Sequence, residues 1–337
     1  MNYDNIKLEK GMYSICNKSF TKVLEELDPS GNYKGTDLEG LDAYQRQLKR
    51  FGIRVSGPNC DTVEKFFINS ESAVLFPEFI SRAVKKGIYT QNNLPVITAA
   101  KSIIDTIDYR TIKSNLETST YTGSEVPEGN LLPEVTIRTN SNLITLKKHG
   151  RVLSSSYEAL RFQNLDVLAV ILKKVGLDII NEHLADAINV LKDGCTAQTV
   201  ATVSYDALLT LWSSLKPYNM NVMITTYDIA RRIMALDEMR DANAGLDFQG
   251  TGRDISPMGA RLICSNIPDA KTVIGLDKDC ALQMIQSGDV VVDYDKVIDR
   301  QLDKTTLSVT AGFSKIFTGA TKIISITNWG TIWIYLK

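Results

Sequence analysis

The sequence predicts an α+β fold organised around one long helix, and three observations carry that expectation. Residues 165–194 keep apolar side chains on a single helical stripe for roughly eight turns. Residues 102–114 and 135–147 instead alternate apolar and polar side chains, the period of a half-buried strand. Beyond 204, short helical and strand patterns succeed one another, which marks a mixed module.

The chain has 337 residues, 44% hydrophobic and 23% charged, enough apolar material to bury a sizeable core. A single core stops growing at roughly 250–300 residues, so two domains with extensions are expected. Lys plus Arg number 38 and Asp plus Glu 39, for a formal net charge of -1. That balance sets up no global positive field to draw the protein onto nucleic acid, so no specific recognition of DNA is expected. Five cysteines, Cys16, Cys60, Cys195, Cys264 and Cys280, stand far apart with no C-x-x-C pair and only His149 and His183 as companions. Such spacing argues against a disulfide framework and a zinc site, and the expected reading is small buried thiols in a reducing cytoplasm. MNYDNIKLEKGMYS carries no basic leader with an apolar run, and no stretch approaches 18 apolar residues, so neither export nor membrane spanning is expected.

Residues 1–60 are polar and Gly-punctuated. DPSGNYKG (28–35) reads as turns, and LEGLDAYQRQLKRFGI places Leu38, Leu41, Tyr44, Leu48 and Phe51 at helical spacing. These apolar positions are too few to fold alone, so the segment should lie on a partner or on the rest of the chain. ESAVLFPEFISRAVKKGI (71–88) predicts a helix with Pro77 in its first turn, burying Phe76, Phe79, Ile80 and Val84. The two alternating runs within 102–147, joined by the turn-rich TGSEVPEGNLLPE, predict a long two-stranded excursion that needs a neighbour to lean on.

SSYEALR (155–161) predicts a short helix. Asn164 then caps the long one, whose stripe is Leu168, Ile171, Leu172, Val175, Ile179, Leu184, Ile188 and Leu191, with Gly194 as its stop. Further on, helices are expected at 204–216 and 228–236 and strands at 221–226, 261–265 and 272–276. A short helix at DKDCALQMI and a strand at DVVVDY complete the module. TTLSVTAGFSKIF (305–317) and TKIISIT (321–327) read as two strands joined by a Thr318-Gly319 turn.

FPEFISRAVKKGI before the excursion, GRVLSSSYEALRFQNLDVLAVILKKVGLDI into the long helix and PDAKTVIGLDKDCALQM in the later module resemble phage and prophage capsid proteins. With the order of elements from about Asp61 to Thr327, the chain resembles the tailed-phage major capsid proteins of the Hong Kong 97-type fold, which encapsulins share. The resemblance implies an N-terminal arm (1–100), an extended β loop (101–140), a peripheral domain with the spine helix (141–200), an axial domain (201–304), and returning strands with the C-terminus (305–337). It also implies self-assembly into an icosahedral shell of hexamers and pentamers enclosing phage DNA. The protein would be assembled in the host cytoplasm and carried in the virion, with portal and scaffolding or decoration proteins as partners and no membrane.

No catalytic, cofactor-binding or metal-binding residues are assigned, and no enzyme activity is expected. The arm residues Phe66, Phe67, Phe76, Phe79 and Arg82 are candidate inter-subunit anchors, since aromatic and Arg side chains dominate interface hot spots; intramolecular core packing is the equal alternative. Lys101 and Lys113 are candidate extended-loop contacts. Some members of the resembling family join such a lysine covalently to an asparagine of a neighbour, here Asn328, but nothing in the spacing brings these residues together, and no cross-link is expected.

DFQGTGRD (247–254) lacks phosphate-loop spacing and reads as a loop tip. KKHGR (147–151) reads as a solvated turn, and His183 as a helix-surface histidine partnered by Glu182 or Asp186. An encapsulin-like compartment shell is the alternative of the same class. A two-domain α/β enzyme on a small molecule is the alternative of another class, and two histidines with no nucleophile constellation weigh against it.

Overall fold

The computed structural model describes all residues except 1–2, 15–18, 91, 107, 115–124, 127, 131, 133–134, 157–158, 160, 241–257, 267–268, 270, 298, 300–301 and 328–337. In chain order its main elements are α1 (Phe20–Leu27), α2 (Ala43–Arg50), α3 (Phe76–Thr90), β1 (Ala100–Ile104), β2 (Asp108–Ser114), β3 (Ile137–Thr145), β4 (Lys147–Ser156) and α4 (Leu165–Lys192). There follow β5 (Ala197–Val200), α5 (Tyr205–Ser214), β6 (Val222–Thr225), α6 (Tyr227–Met234), β7 (Arg261–Cys264), β8 (Thr272–Leu276), β9 (Leu282–Val297), β10 (Leu302–Lys315) and β11 (Thr321–Ile326). The chain divides into two compact units, each assembled from three separate stretches.

The first unit comprises 1–92, 149–180 and 289–309. The 1–60 segment is folded here. Ser19 caps α1, and Asp42 and Gln45 close a reciprocal capping box on α2, which satisfies amides that a helix start leaves open. Tyr44 and Leu48 of α2 are buried as their spacing predicts, and Tyr13 stacks on Phe20 with ring centroids 4.3 Å apart. In α3, Pro77 occupies the first turn and Phe76, Phe79, Ile80 and Val84 are buried. The α3 and α4 backbones touch at two glycines. A Cβ on Gly87 would lie 2.2 Å from the Lys173 carbonyl oxygen, and one on Gly176 would lie 2.3 Å from the Val84 carbonyl oxygen. A helix interior gives up stability by holding glycine, so this close approach accounts for both.

The α4 helix has 28 residues, about 42 Å at 1.5 Å per residue. Leu172, Ile179, Leu184, Ile188 and Leu191 of the predicted stripe are buried, but Ile171 is exposed. The stripe was drawn one residue too wide there, since consecutive positions lie 100° apart on a helix. His183 corrects a second expectation. It is fully buried and not on the helix surface, because it follows the buried side of the helix with Leu184 and Ala187.

The second unit comprises 93–148, 181–288 and 310–337. Its five-stranded sheet has the order β5-β11-β8-β6-β7, with parallel pairs at β5-β11 and β6-β7 and antiparallel pairs between. Leu208, Leu211 and Leu215 from the α5 region and Ile229 and Ile233 of α6 pack on Met223, Val273 and Ile324 of that sheet. Polar residues hold the bend before β6. Asp277 accepts from the Asn219 amide at 3.1 Å and from the Asn221 side chain at 3.0 Å.

Another sheet has the order β1-β9-β10-β4, with β1 parallel to β9 from Ala100↔Gln283 to Ile104↔Ser287. Two expectations fall here. Residues 277–285 form a turn and then strand rather than a helix, because the Asp277 side chain captures the Asp279 amide at 3.1 Å and Leu282 onward pairs with β1. Residues 102–104 belong to this sheet and not to the two-stranded excursion. As expected, a turn at 318–320 joins the strands at 302–315 and 321–326, and the two strands enter different sheets. β11 is buried on both faces and therefore takes a central place between β5 and β8, while β10 pairs within the other sheet. Of the helix expected at 155–161, residues 157, 158 and 160 lie outside the described residues, Ser155 and Ser156 end β4, and Ala159 and Arg161 are helical. The loop at 247–254 and WGTIWIYLK lie outside them from 328 on and throughout 241–257.

Candidate assembly surfaces

β2 and β3 form a ribbon of two strands, antiparallel from Asp108↔Thr145 to Ser114↔Ile137 with a bulge between Arg110 and Ile112. Side chains directly opposite on an antiparallel pair share a face, so Arg110, Ile112, Ile137, Thr139 and Leu143 line one side. On that side Ile112 is 63% exposed, Ile137 70% and Leu143 51%. The ribbon is fixed at its base. The Gln283 side chain donates to the Tyr109 hydroxyl at 3.4 Å and to Ser102 at 3.0 Å, and a Cβ on Gly312 of β10 would come within 2.6 Å of Leu146. A two-stranded ribbon with an open apolar face is marginal in water.

In the first unit a second apolar surface runs along the start of α4. Val167, Val170 and Ile171 sit at i, i+3 and i+4, each at least half exposed, and Phe162 precedes them in the open. Apolar groups at this spacing make a continuous stripe that one copy leaves in water.

The predicted anchors are placed otherwise. Phe66 and Phe76 are fully buried and Phe79 nearly so, with ring centroids 5.5 to 6.3 Å apart, so their surface is already removed from water inside one copy. Phe67 is half-buried against Phe76 at 5.1 Å. Arg82 is half-buried in a network rather than presented outward. It donates to Glu78 at 3.0 Å, Asp42 at 2.7 Å and the Thr21 hydroxyl at 2.9 Å, and lies 4.3 Å over the Tyr44 ring. Burial works against its charge, yet the bonds to Asp42 and Glu78 outweigh it and raise its pKa further. Arg82 thus ties α1, α2 and α3 together.

Sequence reading missed the residue at the centre of this segment. Arg46 is fully buried, donating to Asp28 at 2.6 Å, the Leu41 carbonyl at 2.6 Å and Ser30 at 2.9 Å, with its guanidinium 4.4 Å over Tyr33. Burial opposes ionisation of the adjoining Glu25, but the Ser30 and Ala43 amides and Arg46 hold its carboxyl below the usual range. One signal was present: an arginine at the position of α2 between Tyr44 and Leu48, on the inward side of an amphipathic helix.

Lys101 is exposed in β1 opposite Met284, and Lys113 is in β2 opposite Arg138; Asn328 lies outside the described residues. His149 is half-buried in β4, Lys147 pairs with Asp186 at 2.6 Å, and the four described cysteines form no disulfide. Among the described residues no helix is long and apolar enough to cross a membrane.

No family model matches the sequence, and no curated protein matches it. Solved structures do. A virus-like particle from Pyrococcus furiosus matches with a TM-score of 0.52 at 11% identity, over 74% of this chain and 98% of that one. The capsid of an empty GTA particle matches at 0.51 and 16% identity, over 70% and 90%. Microbacterium phage Oxtober96 matches at 0.52 and 12% identity, over 71% and 92%. The chain has the Hong Kong 97-type capsid fold. In that fold the long α4, the ribbon and the two units account for what the sequence pattern alone left as oddities. About a quarter of the chain stands outside the match to the Pyrococcus particle.

Proposed function

We propose that this chain is a major capsid protein that assembles with its own copies, as hexamers and pentamers, into the icosahedral shell enclosing the DNA of a tailed phage or prophage. The observation that carries this reading is the pairing of a capsid fold with an apolar ribbon face, Ile112, Ile137 and Leu143, that one copy leaves in water. A second copy that covers the ribbon removes that surface from solvent, and repeated around a closed shell the gain is large.

The role is structural rather than catalytic. With a net charge of -1 the shell would hold DNA by enclosure. Lys101 and Lys113 are proposed to contact the neighbour beneath the loop. The peripheral and axial division at 141–200 and 201–304, a place in the virion after assembly in the host cytoplasm, and portal and scaffolding or decoration partners belong to the same reading. A compartment shell without DNA is the second reading, motivated by the match that covers 98% of the Pyrococcus virus-like particle chain.

Sedimentation velocity of the wild-type chain against Ile112→Asp and Ile137→Asp tests the ribbon's part. The expected result is particles for the wild type and folded, unassembled subunits for the variants. Particles from both variants in wild-type yield would remove the ribbon from the account, and nuclease-protected DNA within particles separates the capsid from the compartment.

A further inference from the structure

Cys195 follows Gly194, the residue that ends α4 in a left-handed turn at φ 68°. The Lys315 ammonium, at the end of β10, donates to the Cys195 Sγ at 3.1 Å and also to the Asp193 carbonyl. The thiol itself points to the Leu191 carbonyl at 3.4 Å and the Thr321 carbonyl at 3.6 Å. Thr321 adds a separate observation. Its hydroxyl is buried, with the residue 1% exposed, and has no hydrogen-bond partner, although a buried hydroxyl ordinarily finds one. All three residues belong to the second unit, and Cys195 and Lys315 are half-buried, within reach of a small oxidant.

Cys60 and Cys280 sit differently. Burial pushes the Cys60 thiol up, with Asp166 adding to it, and burial with Asp277 and Asp279 does the same to Cys280. Thiolate is the reactive form, and the upward shifts of Cys60 and Cys280 work against it.

We infer that Cys195 and Lys315 form a peroxide-triggered covalent cross-link within one subunit. The Cys195 sulfur attacks hydrogen peroxide: an S–O bond forms, the O–O bond breaks, sulfur is oxidised and the peroxide is reduced to water, leaving a sulfenic acid. The Lys315 nitrogen, after giving up a proton to water, then attacks that sulfur. An S–N bond forms, the S–O bond breaks, and a second water leaves with the hydroxyl and one hydrogen of the amine. The product is a sulfenamide joining residues 120 apart in sequence, the end of α4 to the end of β10. A thiol reductant reverses the bond.

The test is peroxide treatment of the purified full-length chain, quenching, digestion and peptide mass spectrometry. The expected product is a Cys195–Lys315 linked peptide about 2 Da lighter than its two parts, lost on dithiothreitol, with Cys195 oxidised about tenfold faster than Cys60 or Cys280. Lys315→Arg keeps a cation beside the sulfur but cannot form the S–N bond, so there Cys195 should stop at a dimedone-reactive sulfenic acid. Two wild-type results would overturn the inference: Cys195 oxidising no faster than Cys60 and Cys280, or its sulfenic acid accumulating without the linked peptide.

Discussion

Replacing Gly87 with alanine tests the closest contact in the first unit. On an ordinary helix the change would stabilise, because alanine is favoured over glycine by about 1 kcal/mol. Here the new methyl would lie 2.2 Å from the Lys173 carbonyl oxygen, with the Lys173 carbonyl carbon and Cα both at 2.8 Å. Ordinary contact begins at 3.4 Å, so the helices would have to part by about 1.2 Å, 3.4 minus 2.2. No side-chain rotation relieves this, because every atom met belongs to backbone. Such overpacking costs about 1–3 kcal/mol, and separating α3 from α4 loosens the packing around Val84 and Leu172 as well. Against the alanine gain of about 1 kcal/mol, the net expectation is a loss of up to about 2 kcal/mol and a fall in melting temperature of up to about 8 °C. The assay is urea and thermal unfolding of unassembled subunits, so that assembly adds nothing to the apparent stability. Gly176→Ala should do the same, and the double variant should cost less than the two losses added, since one separation serves both methyls. A rise in melting temperature for Gly87→Ala would refute the backbone contact outright.

Other changes sort the buried network from the surface. Arg46→Met leaves Asp28 buried without its cation and should cost about 3–5 kcal/mol by denaturant unfolding; a loss under about 1 kcal/mol would show the pair to be solvated. Phe76→Asp should abolish folding of the subunit itself, seen as loss of the cooperative transition, because the ring is buried against Phe66, Phe67 and Tyr294. Acid should loosen the N-terminal segment. Burial opposes ionisation of Asp61, but the Arg54 amide and Lys65 hold its carboxyl low, as Ser30 and Ala43 hold that of Glu25. A depressed carboxyl stabilises above its unfolded value of about 4, and that contribution disappears as pH falls through the folded value. Amide exchange in residues 19–65 should therefore accelerate below about pH 4, and exchange unchanged down to pH 2 would contradict it.

Elements with a long, regular period were legible in the sequence. α4, α3 and the β2-β3 ribbon each follow from spacing, since 3.6- and 2-residue periods arise from backbone geometry alone. Pairing was not. The register that puts β1 beside β9 joins residues more than 180 apart, and the burial of β11 on both faces depends on strands far from it in sequence. The same limit explains the anchors: Phe66, Phe76 and Phe79 have the composition of a hot spot, and only the three-dimensional packing separates a buried core from an interface made of the same residues. Glycines at a helix crossing carry no pattern of their own, so Gly87 and Gly176 read as mere weak points in two helices. The exposed ribbon face was foreseen only as an instability, and the register supplied the residues, Ile112, Ile137 and Leu143.

The central claim is that copies of this chain close into a shell. Electron microscopy of the expressed full-length protein, imaged directly from a sizing column's void fraction, tests it most directly. Closed particles with five-fold vertices are the predicted result. Monomers or dimers under every ionic condition and concentration, with the ribbon face still open to solvent, would contradict it.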